Sequence, residues 1–377
     1  MLAGVYATLR FLGLMCAGLA LAIAAHGAPL DGPYVLRGGA EAWWVDGPAD
    51  SPAKRSETLR PGATLTIPAV GDLPSFPVPL RSPAQDDADD VDTHGKAPLF
   101  VVADTHGEYE IFAHELVKQR VVDARLRWSF GRGHVVVLGD VFDRGPNQLE
   151  ILWLLYALEA QARKAGGGVH LLLGNHETMT LLGDHRYLHP KYVASTAVLG
   201  VASYAELFPA DSVLGQWLRS KPAVLRIDGH LCLHGGISPA LVGRKLTLAQ
   251  INGAIRGQLK GSALDTELAD FLMKTDGPLW YRGYFDDTRA PTRSSDADVD
   301  DVLAAFGVKR VLVGHTIVPT ITPLYGGKVI AVQVYPKHEA GAADHFETLV
   351  VERGNLFRAL PDGTREPLDI HESVTRR

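Results

Sequence analysis

The stretch GHVVVLGDVFDRGPNQ, residues 133–148, decides the fold. The apolar run Val135, Val136, Val137, Leu138 reads as a buried strand, and Gly139 ends it in a turn. Asp140, Asp143 and Arg144 follow within one short loop. Capping the next helix would need a single carboxylate, not two with a guanidinium. LEILWLLYALEAQARKAGGG, residues 149–168, then carries the spacing of a strong helix stopped by glycines.

The same strand–loop pattern recurs along the chain. PLFVVADTHGE (98–108) leaves Asp104 and His106 just past an apolar run. LLLGNHE (171–177) leaves Asn175, His176 and Glu177; LCLHGG (231–236) leaves His234; VLVGHT (311–316) leaves His315. Strands alternating with helices argue for an α/β fold, and the later runs KVIAVQVY (328–335) and FETLVVER (346–353) add a second, mixed sheet. Open α/β sheets bind ligands beyond the carboxyl ends of their strands. Here those ends deliver Asp, Asn and His, oxygen and nitrogen donors suited to divalent metals. Each motif alone is weak, since ADTHG by itself reads as an ordinary turn with an Asp cap. Their joint occurrence in this order carries the reading.

The ordered set ADTHG, GDVFDRG, GNHE, HGG and GHT resembles the calcineurin-like metallophosphoesterases, in their phosphoprotein phosphatase branch, over residues 97–335. The DRG tripeptide separates it from purple acid phosphatases. With GPLWYRG (277–283), it is most similar to the Shewanella-like protein phosphatases. It departs from the pattern at Ala103, where the first motif has Gly, and at Leu173, where animal Ser/Thr phosphatases carry Arg. A SAPNYC-type C-terminal element is missing. The resemblance implies a sandwich of two mixed β-sheets flanked by helices, with a dinuclear metal site at the strand ends.

It also implies the roles. Asp104, His106 and Asp140 would hold one divalent ion; Asp140, Asn175, His234 and His315 the other. Asp140 would bridge, using both carboxylate oxygens. Mixed Asp, His and Asn ligation suits Mn, Fe or Zn. Two cations about 3.5–4 Å apart hold a hydroxide for in-line attack on phosphorus. His176, oriented by Asp143, is the expected general acid, with Glu177 as a possible sharer of that role. Arg144 is expected on the phosphoryl oxygens, joined by Arg282 from between the two late histidine motifs. The expected activity is phosphomonoester hydrolysis on a phosphorylated protein (Ser/Thr or Tyr) or a small phosphomonoester. The alternatives are a phosphodiesterase or dinucleoside polyphosphate hydrolase on the same site, and a non-catalytic binding module. His114, His134, His170, His185, His189 and His230 show no partner pattern and read as structural.

The rest of the chain sets limits. With 377 residues, 46% hydrophobic and 21% charged, it is long enough and apolar enough to bury a large core. The balance of 37 basic and 43 acidic residues, net −6, gives no overall attraction to nucleic acid, and none is expected as a partner. Residues 28–95 are Pro- and Gly-rich with short β-like runs and end in the acidic stretch QDDADDVDTHGK; they read as an accessory segment and linker before a catalytic domain at 96–355 and a C-terminal tail at 356–377. The tandem Trp43–Trp44 reads as packing against the main domain rather than as a recognition surface. Cys232 lies in an apolar run and reads as a buried core thiol.

Residues 1–27 read as a signal peptide. Arg10 precedes FLGLMCAGLALAIAA (11–25), and AHGAP (25–29) supplies small residues for cleavage. That run is short against the roughly 20 residues of a membrane span. The mature protein is therefore expected to be periplasmic or secreted, with no stable membrane association once the signal is removed. The mature chain should begin between Ala25 and Ala28; an intact mass of protein exported from a native-like host checks this, and a mass that retains residues 1–20 would overturn it.

Overall fold

The computed structural model describes residues 30–82, 87–290, 292–334 and 345–370. The signal-peptide reading lies outside them. Among the described residues no helix is long and apolar enough to cross a membrane.

The accessory segment opens with an antiparallel sheet of β1 (Asp31–Leu36), β2 (Glu41–Asp46) and β3 (Ala53–Thr58), followed by the hairpin of β4 (Thr64–Ile67) and β5 (Phe76–Pro79). Alternation along the hairpin turns Leu65, Ile67, Phe76 and Val78 inward. These residues join the same apolar core as the catalytic part. Trp44 is buried, and Lys54 and Arg55 lie over the Trp43 and Trp44 rings at 3.0 and 3.8 Å. The Trp pair is thus packed. The acidic stretch read as a linker contributes β6 (Asp90–Val91), which pairs in parallel with a strand of the catalytic part.

Two six-stranded sheets follow. The first runs, in spatial order, β17 (Arg365–Pro367), β16 (Asn355–Ala359), β15 (Thr348–Glu352), β7 (Leu99–Val102), β8 (His134–Val137), β9 (Gly168–Leu171); the second runs β13 (Thr322–Leu324), β14 (Val329–Ala331), β12 (Arg310–Val313), β11 (His230–Leu233), β10 (Val224–Ile227), β6. In the first, β7 (Leu99–Val102), β8 (His134–Val137) and β9 (Gly168–Leu171) are parallel. β7 and β8 are buried throughout, as their unbroken apolar runs require in a sheet covered on both faces. The second holds β10 (Val224–Ile227), β11 (His230–Leu233), β12 (Arg310–Val313), β13 (Thr322–Leu324) and β14 (Val329–Ala331), in mixed parallel and antiparallel pairing. The crossover helices are α1 (Tyr109–Lys118) and α2 (Gln148–Ala165). Gly166, at φ 80°, ends α2 in the left-handed conformation that the glycine run allows.

The boundary drawn at residue 355 needs correction. β15 (Thr348–Glu352) turns back as β16 (Asn355–Ala359) and then β17 (Arg365–Pro367), so residues 356–370 extend the first sheet rather than forming a tail. Leu356 and Ala359 are buried there, and Arg358 reaches Glu347 at 3.2 Å.

A buried charge network ties the accessory segment down. Lys221, fully buried, donates to Asp87 at 2.5 Å and to Glu159 of α2 at 3.2 Å. Trp217 and Arg81 donate to the same Glu159 oxygen at 2.6 and 3.3 Å. Removing one member of a buried ion pair leaves the other uncompensated. Lys221→Met should therefore lower unfolding stability by about 3 kcal/mol in urea denaturation; a change of less than about 1 kcal/mol would show that the network contributes little.

Candidate metal centre

The strand ends of both sheets converge, and the backbone there is bent to aim its side chains. Asp104, His106, Asp140, Asp143, Arg144 and His315 all have positive φ, between 44° and 70°. Such conformations cost about 1–3 kcal/mol each for residues other than glycine and gather at functional sites. Two glycines make the approach of neighbouring loops possible. A Cβ on Gly139, at φ 90°, would meet Gly174 N at 2.4 Å, and one on Gly174 would meet Asp140 Oδ1 at 2.1 Å.

Each buried carboxylate divides its oxygens. Asp140 Oδ1 accepts the His176 amide at 2.9 Å, and Asp104 Oδ1 accepts the His315 amide at 3.1 Å. Asp140 Oδ2 is left facing His234 Nε2 at 3.1 Å and the Nε2 atoms of His106 and His176, each at 3.8 Å. The His176 amide thus takes up Oδ1 of Asp140 and leaves Oδ2 as the oxygen that faces the imidazoles. The histidines are likewise oriented from behind. His106 donates from Nδ1 to the Phe142 carbonyl and His234 from Nδ1 to the Leu138 carbonyl, both at 2.8 Å. Both Nε2 atoms are thereby turned toward the shared space.

This arrangement calls for positive charge. In neutral His234, Nε2 carries a lone pair, yet it lies 2.9 Å from Asn175 Oδ1 and 3.1 Å from Asp140 Oδ2. Three lone-pair atoms this close repel unless a proton or a cation stands among them. Burial pushes Asp104 up to about 7, and for His234 burial is outweighed by Asp140 and Asp104, which raise it to about 9. The donor set thus fits divalent metal. Ring and carboxylate atoms of Asp140, His234 and His315 lie within 4.8 Å of one another, as do those of His106, Asp140 and His176. Asp104 Oδ2 is 4.0 Å from His106 Nε2.

His176 stands at the edge of this cluster. Its Nδ1 donates to Asp143 Oδ2 at 2.5 Å, which leaves Nε2 toward the cleft. Burial lowers the imidazolium pKa, but Asp140 and Asp143 reverse that and hold it above the ordinary histidine value. Glu177 has another task. Its carboxylate accepts the amides of Asp140, Val141 and Gly174 at 2.8, 2.7 and 2.7 Å, so it has no free oxygen for proton transfer. The proposed sharing of the acid role is therefore withdrawn.

The cleft above has a volume of about 640 Å³ and is lined by Arg144 and Arg282 as well as by the metal-site residues. Arg282 donates to the His315 carbonyl at 2.6 Å and to Thr316 Oγ1 at 2.9 Å. Burial lowers its guanidinium to about 10, still cationic at neutral pH. Trp280 meets the His315 ring edge-on at 5.7 Å.

The calcineurin-like phosphoesterase family model matches residues 97–319. The chain belongs to this family. Among solved structures, the cold-active protein-tyrosine phosphatase of a psychrophilic Shewanella is similar at 36% identity and a TM-score of 0.76, covering 90% of this chain and 99% of that one. That coverage includes part of residues 28–95. Shewanella-like protein phosphatase 2 of Arabidopsis thaliana is 26% identical over 262 residues, 58% of this chain and 66% of that protein. The uncharacterized protein C1840.07c of Schizosaccharomyces pombe is 29% identical over 223 residues, with the same shares of 58% and 66%. The chain thus spans just under two thirds of the length of these curated relatives.

Sequence reasoning missed several cleft residues. Tyr187, in a polar loop with no motif, places its ring 5.3 Å from that of His176 and lies under Arg144 at 5.6 Å. Gln333 sits in an apolar run, where only its polarity marked it. Away from the site, His134 and His170, read as unpartnered, share a hydrogen bond of 2.9 Å between Nδ1 and Nε2.

Glu177→Gln should show how far the site depends on its backing. The substitution sets an NH₂ group against backbone amides, so bound divalent metal should fall severalfold by elemental analysis and the melting temperature should drop. Unchanged metal content would mean that the loops hold their shape without this carboxylate.

Proposed function

We propose that the protein is an exported, metal-dependent phosphomonoesterase acting on phosphorylated protein, at Ser/Thr or Tyr. The observation that carries this reading is the convergence on one cleft of a buried metal-ligand cluster, a carboxylate-oriented histidine and two arginines. The similar Shewanella-like protein phosphatase supports a phosphoprotein substrate, and the similar Shewanella protein-tyrosine phosphatase supports tyrosine. Export rests on the reading of residues 1–27.

Asp104, His106, Asp140, Asn175, His234 and His315 would hold two divalent ions of Mn, Fe or Zn. Such ions, when bound, supply Lewis acidity and a water of lowered pKa. The chain's own groups do the rest. Arg144 and Arg282 bind the phosphoryl oxygens, Arg282 with its plane set by the His315 loop. His176 presents Nε2 to the leaving oxygen and gives up a proton there, while Asp143 keeps Nδ1 protonated and stabilises the imidazolium. Burial of the donor atoms excludes water from all but the open side of the cleft and strengthens these contacts.

The Mn²⁺-supplemented protein should hydrolyse an aryl phosphate and phosphopeptides well, and bis-aryl phosphate and diadenosine tetraphosphate poorly. His176→Asn should reduce kcat about 10²–10⁴-fold on phosphoserine peptide. The loss should be smaller on an aryl phosphate with a good leaving group, with metal content unchanged. Loss of metal in that variant would make His176 a ligand instead, and failure to cleave any phosphomonoester would overturn the reading.

A further inference from the structure

Gln333 is a polar group in the cleft that the reaction has not yet used. It follows β14 by two residues, beside the end of β12 from which His315 projects. Its backbone carbonyl accepts the Val318 amide at 2.9 Å, which fixes it to the loop carrying His315. The residue is only 2% exposed, yet it lines the cleft, and Oε1 is buried without a hydrogen-bond partner among the described residues. Buried side-chain amides are nearly always paired, because an unpaired one forfeits its hydration for nothing. A stabilising role among the described residues does not account for this one, and the cleft it lines is where a ligand would meet it.

The surroundings indicate what that partner is. Arg144 and Arg282 face the same cleft, and the metal-ligand cluster lies at its floor, so the cleft is built for an anion. An anion selects the N–H end of a carboxamide, since the two ends exchange by rotation about the last side-chain torsion. Arg282 spends one guanidinium nitrogen on the His315 carbonyl and Thr316 and sets the other terminal nitrogen 3.4 Å from His315 Nδ1, which leaves the wall beside β14 short of donors for a group with three non-bridging oxygens.

We propose that Gln333 is a substrate-binding residue whose carboxamide N–H donates to a non-bridging oxygen of the phosphoryl group. It is a neutral third donor beside Arg144 and Arg282. The inference rests on the phosphatase reading but is tested through binding of inorganic phosphate, without turnover.

The test uses the full chain loaded with Mn²⁺, its Gln333→Met and Gln333→Glu variants, and calorimetric titration with inorganic phosphate. Methionine keeps the length and removes the donor; glutamate keeps the shape and adds a like charge. Phosphate affinity should fall about 10-fold or more in the Met variant, as for a lost hydrogen bond to a charged group, and further in the Glu variant. Metal content should not change. The melting temperature of the phosphate-free Met variant should hold or rise, because an orphaned buried oxygen has gone. Phosphate affinity within twofold of the parent in Gln333→Met would overturn the proposal, as would loss of metal or a lowered melting temperature without an affinity change. A parent protein that binds phosphate but cleaves no phosphomonoester would sink the phosphatase reading and leave the role of Gln333 standing.

Discussion

The carboxylate of Glu177 is the point on which the site depends. It accepts backbone amides from the loop after β8, at Asp140 and Val141, and from the loop after β9, at Gly174. One buried side chain thereby locks two strand ends together. Asp140 is held by that lock, and its own Oδ1 fastens the His176 amide in turn. Asp140 Oδ2 and the Asn175–His176 pair thus have their relative position set by these hydrogen bonds. Glycine at 139 and 174 is required because the loops pass too close for a Cβ.

The site is assembled at a cost in stability. Several of its residues occupy left-handed backbone conformations, and its carboxylates and imidazoles are buried at lone-pair contact. Natural proteins keep such strain where function needs it and where the surroundings over-determine it. Here the surroundings are two sheets with fully buried central strands. Cation binding would relieve the lone-pair repulsion, so metal affinity and folding stability should be linked through the same atoms.

The accessory segment belongs to this economy. Its hairpin shares the core, the Pro33 carbonyl receives the Trp153 indole, and Tyr34 packs edge-on against Tyr204 and Phe208. Phe142, in the loop between Asp140 and Asp143, meets the same Tyr204 and Phe208 rings. Residues far from the chemistry in sequence therefore support the underside of the catalytic loop.

The sequence by itself determined the α/β alternation, the strand ends that carry donors and the identity of those donors. Strand periodicity and Asp, Asn and His spacing are local properties, readable within a few residues. It also placed Trp43–Trp44 in packing. It did not show that β6 joins the second sheet, that residues 356–370 close the first, or that Glu177 is structural rather than catalytic. Those depend on which distant backbone groups a segment meets. Only the tertiary structure decided that Asp140 Oδ1 accepts the His176 amide while Oδ2 faces the imidazoles, because His176 follows a different strand. It alone brought Tyr187 and Gln333 to the cleft, from a loop and an apolar run with no motif. A buried glutamine becomes informative only once the absence of any partner for Oε1 is seen, and partners are settled by packing across the fold.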